Sequence, residues 1–422
     1  MRRPTARGAA FGYACALVTV LWLFLPYGGY ERMLEGKYAC FALLTAGYLA
    51  ATLCADRREL RRTRWTAMDA AAAAYLGWSA VSALCSPYGA RTLLGGTRRD
   101  GLVALTLYVL MFWLLSRSLR PDRRLVYLAA LSATLCDALV LLQLRGYNPF
   151  WLYPAGLGYY DGDIAYAGFY AGPSGNIDFT AFLLSIAVCV LAAAVLRLRL
   201  WALAPTVVLT LWVLCRLGVA AAWAGIACAA VWGLALLLPR RRMLLLSAAL
   251  TAAGLVFLLR CRGDNQTLLE ASLLLRGEAY GSFGSGRLAI WRDCLYLVRE
   301  RPLLGGGPDT LWLRGLEPLA WVHDGSVIPS DITAAHNEYL NILVNQGAVA
   351  LAAYLALLSA ALLCCFRRAS DARYALCGMG LVCYAAMAFF SISTCITAPF
   401  VWLLLALCNP HEKSEKTLLK NG

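Results

Sequence analysis

Apolar runs long enough to cross a bilayer alternate along the whole chain with shorter polar segments. We count twelve such runs, most of them near the ~20 residues that a transmembrane helix requires. They cover residues 11–26, 38–54, 66–85, 102–116, 126–144, 177–196, 200–215, 217–238, 243–259, 347–366, 374–390 and 394–408. The pattern predicts an all-α polytopic membrane protein with about twelve transmembrane helices and a single membrane domain over residues 1–422.

The basic residues fall in every second polar segment, which predicts how the helices are oriented. If the N-terminus is cytoplasmic, the inner segments hold 23 of the 38 Lys and Arg residues, with the densest cluster at residues 57–64. Polar segments rich in Lys and Arg stay on the cytoplasmic side of a membrane. We therefore predict that both termini are cytoplasmic.

Composition excludes two broad classes of protein. Hydrophobic residues make up 61% of the chain and charged residues 15%, whereas soluble domains have about 45–50% and about 25%. A soluble enzyme and a disordered chain are both excluded. The net charge of +14 is typical of nucleic-acid binding, but the surplus lies in the inner segments, so we predict contact with the lipid bilayer and no nucleic acid.

The longest polar segment, residues 260–346, lies on the predicted outer side between the ninth and tenth helices. Within it, residues 285–301 place Leu288, Trp291, Leu295 and Val298 at helical spacing before Pro302, which predicts a short helix. Large loops above a rigid bundle commonly carry function. We expect this extracytoplasmic loop to hold part of an active site.

His336 is the strongest candidate for acid–base chemistry. It precedes a run with helical spacing, and Thr333 is a plausible N-cap. The partial positive charge of a helix N-terminus disfavours the imidazolium form, and a neutral imidazole can accept a proton from a hydroxyl group. The alternative is a histidine that only packs at a loop–helix junction.

Two arginines are candidates for binding an anion on the outer side. Arg287 opens the predicted loop helix, and its planar guanidinium suits a diphosphate; the alternative is a solvated surface arginine. Arg216 lies at the outer turn between two apolar runs, where a charge commonly marks a functional site. Its alternative is a side chain that extends to the outer lipid headgroups.

Two other features are better explained by structure than by chemistry. Asp161-Gly162-Asp163 resembles the metal-binding pair of many sugar transferases, but a turn uses the same residues. Asp137, isolated in the fifth apolar run, is more often hydrogen-bonded within a bundle than part of a proton relay. No cysteine pair has zinc-type spacing, so we predict no metal site.

The chain resembles the O-antigen ligase and O-antigen polymerase superfamily of bacterial envelope enzymes, over roughly residues 85–405. The resemblance rests on four elements: His336-Asn337-Glu338-Tyr339-Leu340 running into Leu343-Val344 and Gly347; Gly286-Arg287 with Trp291, followed by Arg301-Pro302-Leu303-Leu304-Gly305-Gly306-Gly307-Pro308; Gly175-Asn176-Ile177-Asp178; and Arg99-Asp100-Gly101-Leu102.

The resemblance implies a GT-C-like fold and a glycosyltransferase that needs neither metal nor cofactor. The donor would be a glycan linked to undecaprenyl diphosphate, and the acceptor a hydroxyl of a saccharide or glycolipid at the outer face of the bacterial cytoplasmic (inner) membrane. His336 would be the catalytic base, with Asn337 and Asn176 in support. Arg287 and Arg216, and less strongly Arg98 or Arg99, would bind the diphosphate.

Two questions stay open at the level of the sequence. A ligase and a polymerase use the same donor chemistry, so the sequence does not separate them. A twelve-helix transporter of polysaccharide or small molecules is the alternative from another class. Many such carriers join two six-helix halves by a long inner loop, whereas here the link after the sixth run is Arg197-Leu198-Arg199.

Overall fold

The computed structural model defines the protein over most of its length. It describes residues 5–55, 64–96, 98–153, 171–237, 266–278, 280–323 and 326–410, with scattered residues between 245 and 260.

Helices dominate the described chain. Their bounds are α1 Ala6–Ala16, α2 Met33–Cys54, α3 Ala67–Leu84, α4 Leu102–Ser118, α5 Arg123–Leu144, α6 Ile177–Leu198, α7 Ala204–Leu217, α8 Ala220–Leu237, α9 Gln266–Leu275, α10 Arg287–Glu300, α11 Glu338–Arg367, α12 Ala372–Met387 and α13 Ala398–Cys408. A π-helical turn, Leu17–Leu21, continues α1, and a single turn, Arg91–Leu94, precedes α4. Two short strands, β1 Leu319–His323 and β2 Ser326–Ser330, pair antiparallel, with Leu319 opposite Ser330.

The helices confirm a helical membrane protein. Among the described residues, four helical stretches are long and apolar enough to cross a membrane: Gly29–Cys54, Arg123–Leu144, Ile177–Leu198 and Glu338–Arg367. Shorter apolar helices accompany them. The ninth predicted helix, residues 243–259, lies largely outside the described residues, so the count of twelve remains a prediction.

Three details differ from the expectations drawn from the sequence. The β1–β2 hairpin interrupts the all-α prediction inside the long polar loop. The tenth apolar run begins well inside α11, because the polar residues 338–346 are also helical. Thr333 is not the N-cap of that helix; Asn337 takes the role, and its side chain accepts a hydrogen bond from the backbone N–H of Leu340 at 3.0 Å.

The core forms where the long helices pack side by side. The most extensive contacts join α3 to α11, α8 to α12, α6 to α12 and α4 to α13. Trp402 of α13 stacks on Tyr75 of α3 and on Tyr108 of α4, and all three side chains are buried. Buried aromatic rings of this kind contribute beyond the area that they remove from lipid or water. The bundle therefore provides a rigid support for the loops at its ends.

We call the end of the bundle where α6 and α11 begin the loop end. There the segment Leu303–Gly307 lies against a break in α11 at Gly347, which has φ +85° and ψ 175°. The N–H of Gly307 donates to Asn345 O at 2.7 Å, and the N–H of Gly306 donates to Val344 O at 3.1 Å. These bonds use carbonyl groups that the break frees from the helix ladder.

The end of α3 fixes the same segment from the other side. Ser82 Oγ donates to Leu304 O, and Ser86 Oγ donates to Gly306 O, both at 2.5 Å. Trp78 Nε1 donates to Leu303 O at 2.8 Å. The first part of α11 is thus held in place by a backbone clamp, and that part of the helix begins immediately after His336.

Candidate functional site

His336 sits in a strained backbone position at the loop end. Its φ is +48°, a left-handed value that is uncommon for residues other than glycine and that is often found at functional sites. The preceding residue, Ala335, is fixed on both sides of its peptide: Trp291 Nε1 of α10 donates to Ala335 O at 2.9 Å, and Ala335 N donates to Asn341 Oδ1 at 3.3 Å. The position of the imidazole is therefore set by α10 and α11 together.

Glu338, the first residue of α11, connects the region around His336, which we call the corner, to the turn before α13. Its backbone N–H donates to Ala388 O at 2.7 Å. Its buried carboxylate accepts hydrogen bonds from Ser393 N at 2.8 Å and from Ser393 Oγ at 2.6 Å. Sequence reasoning included Glu338 in a motif but assigned it no role, because a partner 55 residues away leaves no local signal.

Arg98 reaches the same corner from the loop before α4. Its Nε donates to Thr333 Oγ1 at 3.1 Å. The loop itself is held by Asp309, whose Oδ2 accepts from Gly96 N at 2.8 Å and from Asp100 N at 3.2 Å. Burial lowers the pKa of Arg98, and the negative charges of Asp309 and Asp100 oppose that shift.

Two acidic side chains, Asp309 and Asp100, lie near Arg98, and from the partial burial of this group we infer a recess at this corner. Burial raises the pKa of Asp100, and the neighbouring charges of Glu338 and Asp309 raise it further; Tyr108 donates to its Oδ1 at 3.0 Å. Arg98, Asp100 and His336 are only half-buried, yet desolvation is the main cause of the pKa shift of each. Side chains that solvent reaches while protein surrounds them line a cleft, the usual setting of an active site.

Arg287 opens α10 and faces the first turn of α6. Gly286, at the N-cap, has φ +79° and turns the chain into the helix. Arg287 Nη2 lies 3.7 Å from Asp178 Oδ2, and its Nη1 donates to Gly284 O at 3.2 Å. Asp178 is in turn placed by Asn176, whose side chain caps α6 by accepting the N–H of Asp178 at 2.8 Å.

The charges around His336 keep its imidazole neutral. Burial, followed by the positive charges of Arg98 and Arg287, lowers the pKa of His336 to about 3. Sequence reasoning expected a neutral imidazole from the helix N-terminus alone; in the structure the identified causes are burial and two guanidinium groups. A neutral imidazole with two cations beside it can accept a hydrogen bond from a hydroxyl group next to a bound anion.

The other predicted site residues occupy different positions. Arg99 forms an ion pair with Glu35 at 3.0 Å. Arg216 ends α7 with an exposed side chain, and within the described part of the chain it has no hydrogen bond or ion pair. Asn337 and Asn176 are helix N-caps. The structure thus brings together His336, Arg287 and Arg98. The catalytic role of His336 and the diphosphate roles of Arg287, Arg99 and Arg216 stay predictions.

The remaining candidates are settled in part. Asp137 is buried and accepts a hydrogen bond from Thr210 at 2.6 Å, which fits the expected role within the bundle. Asp161 and Asp163 lie outside the described residues. Among the residues that the structure does describe, no group of three or more His, Cys, Asp or Glu side chains is arranged to hold a metal ion.

A comparison with known protein families gives a match. Residues 205–355 match the family model described as O-antigen ligase. The matched stretch includes Arg216, Arg287 and His336, whereas Arg98 and Asp178 lie before it. No curated protein matches the chain.

Proposed function

Since the chain belongs to the O-antigen ligase family through residues 205–355, we propose that it is a metal-independent membrane glycosyltransferase. It would move a glycan from undecaprenyl diphosphate to an acceptor hydroxyl at the outer face of the bacterial cytoplasmic membrane. The observation that carries this proposal is the neutral imidazole of His336 under the charges of two guanidinium groups, Arg98 and Arg287, in a recess at the loop end.

The two arginines would bind the donor by its diphosphate. Each guanidinium offers donors in a planar fork that matches phosphate oxygens. As the bond between the anomeric carbon and the diphosphate oxygen breaks, the electron pair passes to the diphosphate. Fixed positive charges in a recess stabilise that developing charge, which a metal ion does in many other transferases. The enzyme would therefore work without a divalent cation.

His336 would remove the proton of the acceptor hydroxyl. The acceptor oxygen attacks the anomeric carbon from the side opposite the diphosphate, the new C–O bond inverts that carbon, and the proton moves to the imidazole. In the free protein burial, together with two positive charges, makes His336 a weak base. A bound diphosphate carries negative charges that offset them. The imidazole would become an effective base when the donor is in place.

The distribution of basic residues supports placing this chemistry at the outer face of the cytoplasmic membrane. With both termini cytoplasmic, as the positive-inside rule predicts, the loop end faces outward and residues 260–346 form an extracytoplasmic loop. A transporter gains no support from the family match. The acceptor, a lipid-anchored core for a ligase or a second lipid-linked repeat for a polymerase, is a matter for experiment.

The proposal is tested with the purified full-length protein in lipid nanodiscs. With an undecaprenyl diphosphate-linked glycan and candidate acceptors, we expect transfer that persists in EDTA. Transfer that stops in EDTA and returns with Mg²⁺ would contradict the metal-independent mechanism. In a deletion strain, single lipid-linked repeats would accumulate if the protein is a polymerase, and lipid-linked polymer would accumulate if it is a ligase.

Arg98 and Arg99 are adjacent in the chain, but their substitution by alanine should have different effects on donor binding. Arg98→Ala should raise the donor KM by about tenfold or more, because it removes charged hydrogen bonds to a phosphate, each of roughly 1.5–3 kcal/mol. Arg99→Ala should change the donor KM by less than about threefold, because its guanidinium is paired with Glu35 and exposed pairs contribute little. Steady-state kinetics at varied donor concentration measures both. Equal effects of the two variants would contradict the assignment.

A further inference from the structure

Arg287 has a counter-ion within the protein. The distance of 3.7 Å between its Nη2 and Asp178 Oδ2 exceeds the roughly 2.7–2.9 Å of a charge-assisted hydrogen bond. The two groups attract each other without a close hydrogen bond. The side chains are 26% and 39% exposed, so a ligand in the recess has access to both.

The guanidinium of Arg287 also retains unused donors. A guanidinium has five N–H donors. Among the described residues, Nη1 donates to Gly284 O at 3.2 Å, and Nε is buried without a hydrogen-bond partner. A buried donor without an acceptor is costly, so the side chain is prepared for an additional anion.

Asp178 belongs to a helix of the bundle, whereas Arg287 belongs to the loop region. Asp178 is the second residue of α6, a buried helix of the bundle, and Asn176 Oδ1 accepts the backbone N–H groups of Asp178 at 2.8 Å and Phe179 at 3.4 Å. Arg287 belongs to the first turn of α10, in the loop region. An anion that draws Arg287 toward itself therefore moves it relative to a fixed carboxylate.

The chemistry of the reaction makes such a competitor useful. In the donor, one phosphate of the diphosphate is esterified to the prenyl chain and the other to the glycan. The product that remains, a prenyl diphosphate, gains one more negative charge when the glycan leaves. Two arginines that bind the donor would bind this product at least as tightly. A nearby carboxylate that repels the product and forms its ion pair with Arg287 again favours product release.

We propose that Asp178 competes with the substrate diphosphate for Arg287, and thereby sets both the affinity for the donor and the rate at which the prenyl diphosphate product leaves. This proposal rests on the glycosyltransferase function proposed above. It makes Asp178 a positioning residue that acts through Arg287. Its role is opposite to that of a residue that only holds Arg287 in the binding orientation, since such a residue would strengthen diphosphate binding.

The test uses farnesyl diphosphate as a soluble probe and the full-length protein in nanodiscs, with affinity measured by calorimetry. Asp178→Asn should bind the probe about threefold to fivefold more tightly than the wild type, the change expected when one exposed ion pair no longer competes. In turnover assays the same variant should lower the donor KM and kcat together. Asp293→Asn, which removes an acid paired with Arg292 on the same helix, should bind the probe as the wild type does.

Other outcomes separate this proposal from the function on which it rests. Weaker or unchanged binding in Asp178→Asn, with binding lost in Arg287→Ala, overturns the competition and leaves Arg287 as a diphosphate ligand. Equal binding of the probe by the wild type and Arg287→Ala overturns the role of Arg287 as a diphosphate ligand, and the proposed competition with it. The transfer assay then still decides whether the protein is a glycosyltransferase. Asp178→Ser provides a second neutral side chain suited to a helix start, and it decides the matter if the Asn variant does not fold.

Discussion

His336→Asn should abolish glycan transfer while the protein still inserts, folds and binds the donor. A general base in the transition state typically contributes about 10²–10⁴-fold to the rate, and asparagine cannot accept the proton. Asparagine is the informative replacement because His336 has a φ of +48°, a left-handed conformation that asparagine adopts more readily than most residues. Transfer rates in nanodiscs, normalised to farnesyl diphosphate binding, measure the effect.

His336→Ala serves as the companion variant. It removes the imidazole and also places an alanine in a strained backbone, so it should lose transfer and some stability. If the asparagine variant transfers glycan at the wild-type rate while the alanine variant is inactive, the histidine is needed for the backbone and not for proton transfer. That result would return His336 to the alternative of a residue that packs at a loop–helix junction.

The pH dependence of the wild type gives a second measure of the same residue. The reactive form of His336 is neutral, so the rate falls when pH drops below the pKa of the imidazole. Burial and the charges of Arg98 and Arg287 hold that pKa at about 3 in the free protein. A bound diphosphate offsets both charges and raises it. We therefore expect the acid limb of kcat, which reports the loaded enzyme, at higher pH than the acid limb of kcat/KM.

The test is whether the acid limb of kcat lies at higher pH than the acid limb of kcat/KM. If both limbs fall at the same pH, binding of the donor does not change the charge around His336, and the two arginines are not its diphosphate ligands. Arg98→Ala removes one of the charges that lower the pKa. It should therefore move the acid limb of kcat/KM upward, toward the pH at which an ordinary histidine titrates.

Gly347→Ala should unfold the loop end and inactivate the enzyme. A Cβ at this position would lie 2.0 Å from Leu303 O, so the clamp between the glycine-rich segment and α11 has to open. The φ of +85° with ψ 175° is also essentially restricted to glycine, at a cost of about 1–3 kcal/mol for other residues. With the overlap added, we expect a loss of at least about 3 kcal/mol, measured by thermal unfolding in detergent.

Gly77→Ala is the matched control. Gly77 also lies within a helix, α3. Apart from its chain neighbours and the backbone of its own helix, no described atom lies within 4 Å of where its Cβ would be. Alanine is the better helix former by up to about 1 kcal/mol, so this variant should be as stable as the wild type or slightly more so, with full transfer activity. If Gly347→Ala behaves in the same way, the break in α11 is not required to position His336.

The candidate site was partly accessible to sequence reasoning. His336 and Arg287 stand out because each is a reactive or cationic residue at the start of a helical pattern in a polar loop. Periodicity alone also predicted α10 within two residues of its observed bounds. The choice between Arg98 and Arg99 was not accessible. They are neighbours in the chain, and the left-handed turn at Arg99, φ +54°, directs one toward Thr333 and the other toward Glu35.

By itself the sequence determined that this chain is a helical membrane protein, because a bilayer lacks water to satisfy exposed backbone groups and long apolar runs must therefore be helices. Motifs that are local in the chain also indicated the family whose model matches residues 205–355. Only the tertiary structure decided that Arg98, Arg287 and His336 share one recess, that α11 breaks at Gly347, and that Asp178 lies beside Arg287, more than a hundred residues away in sequence. The physical reason is that these contacts depend on how helices pack and on single backbone dihedrals, and neither leaves a periodic signal in the sequence.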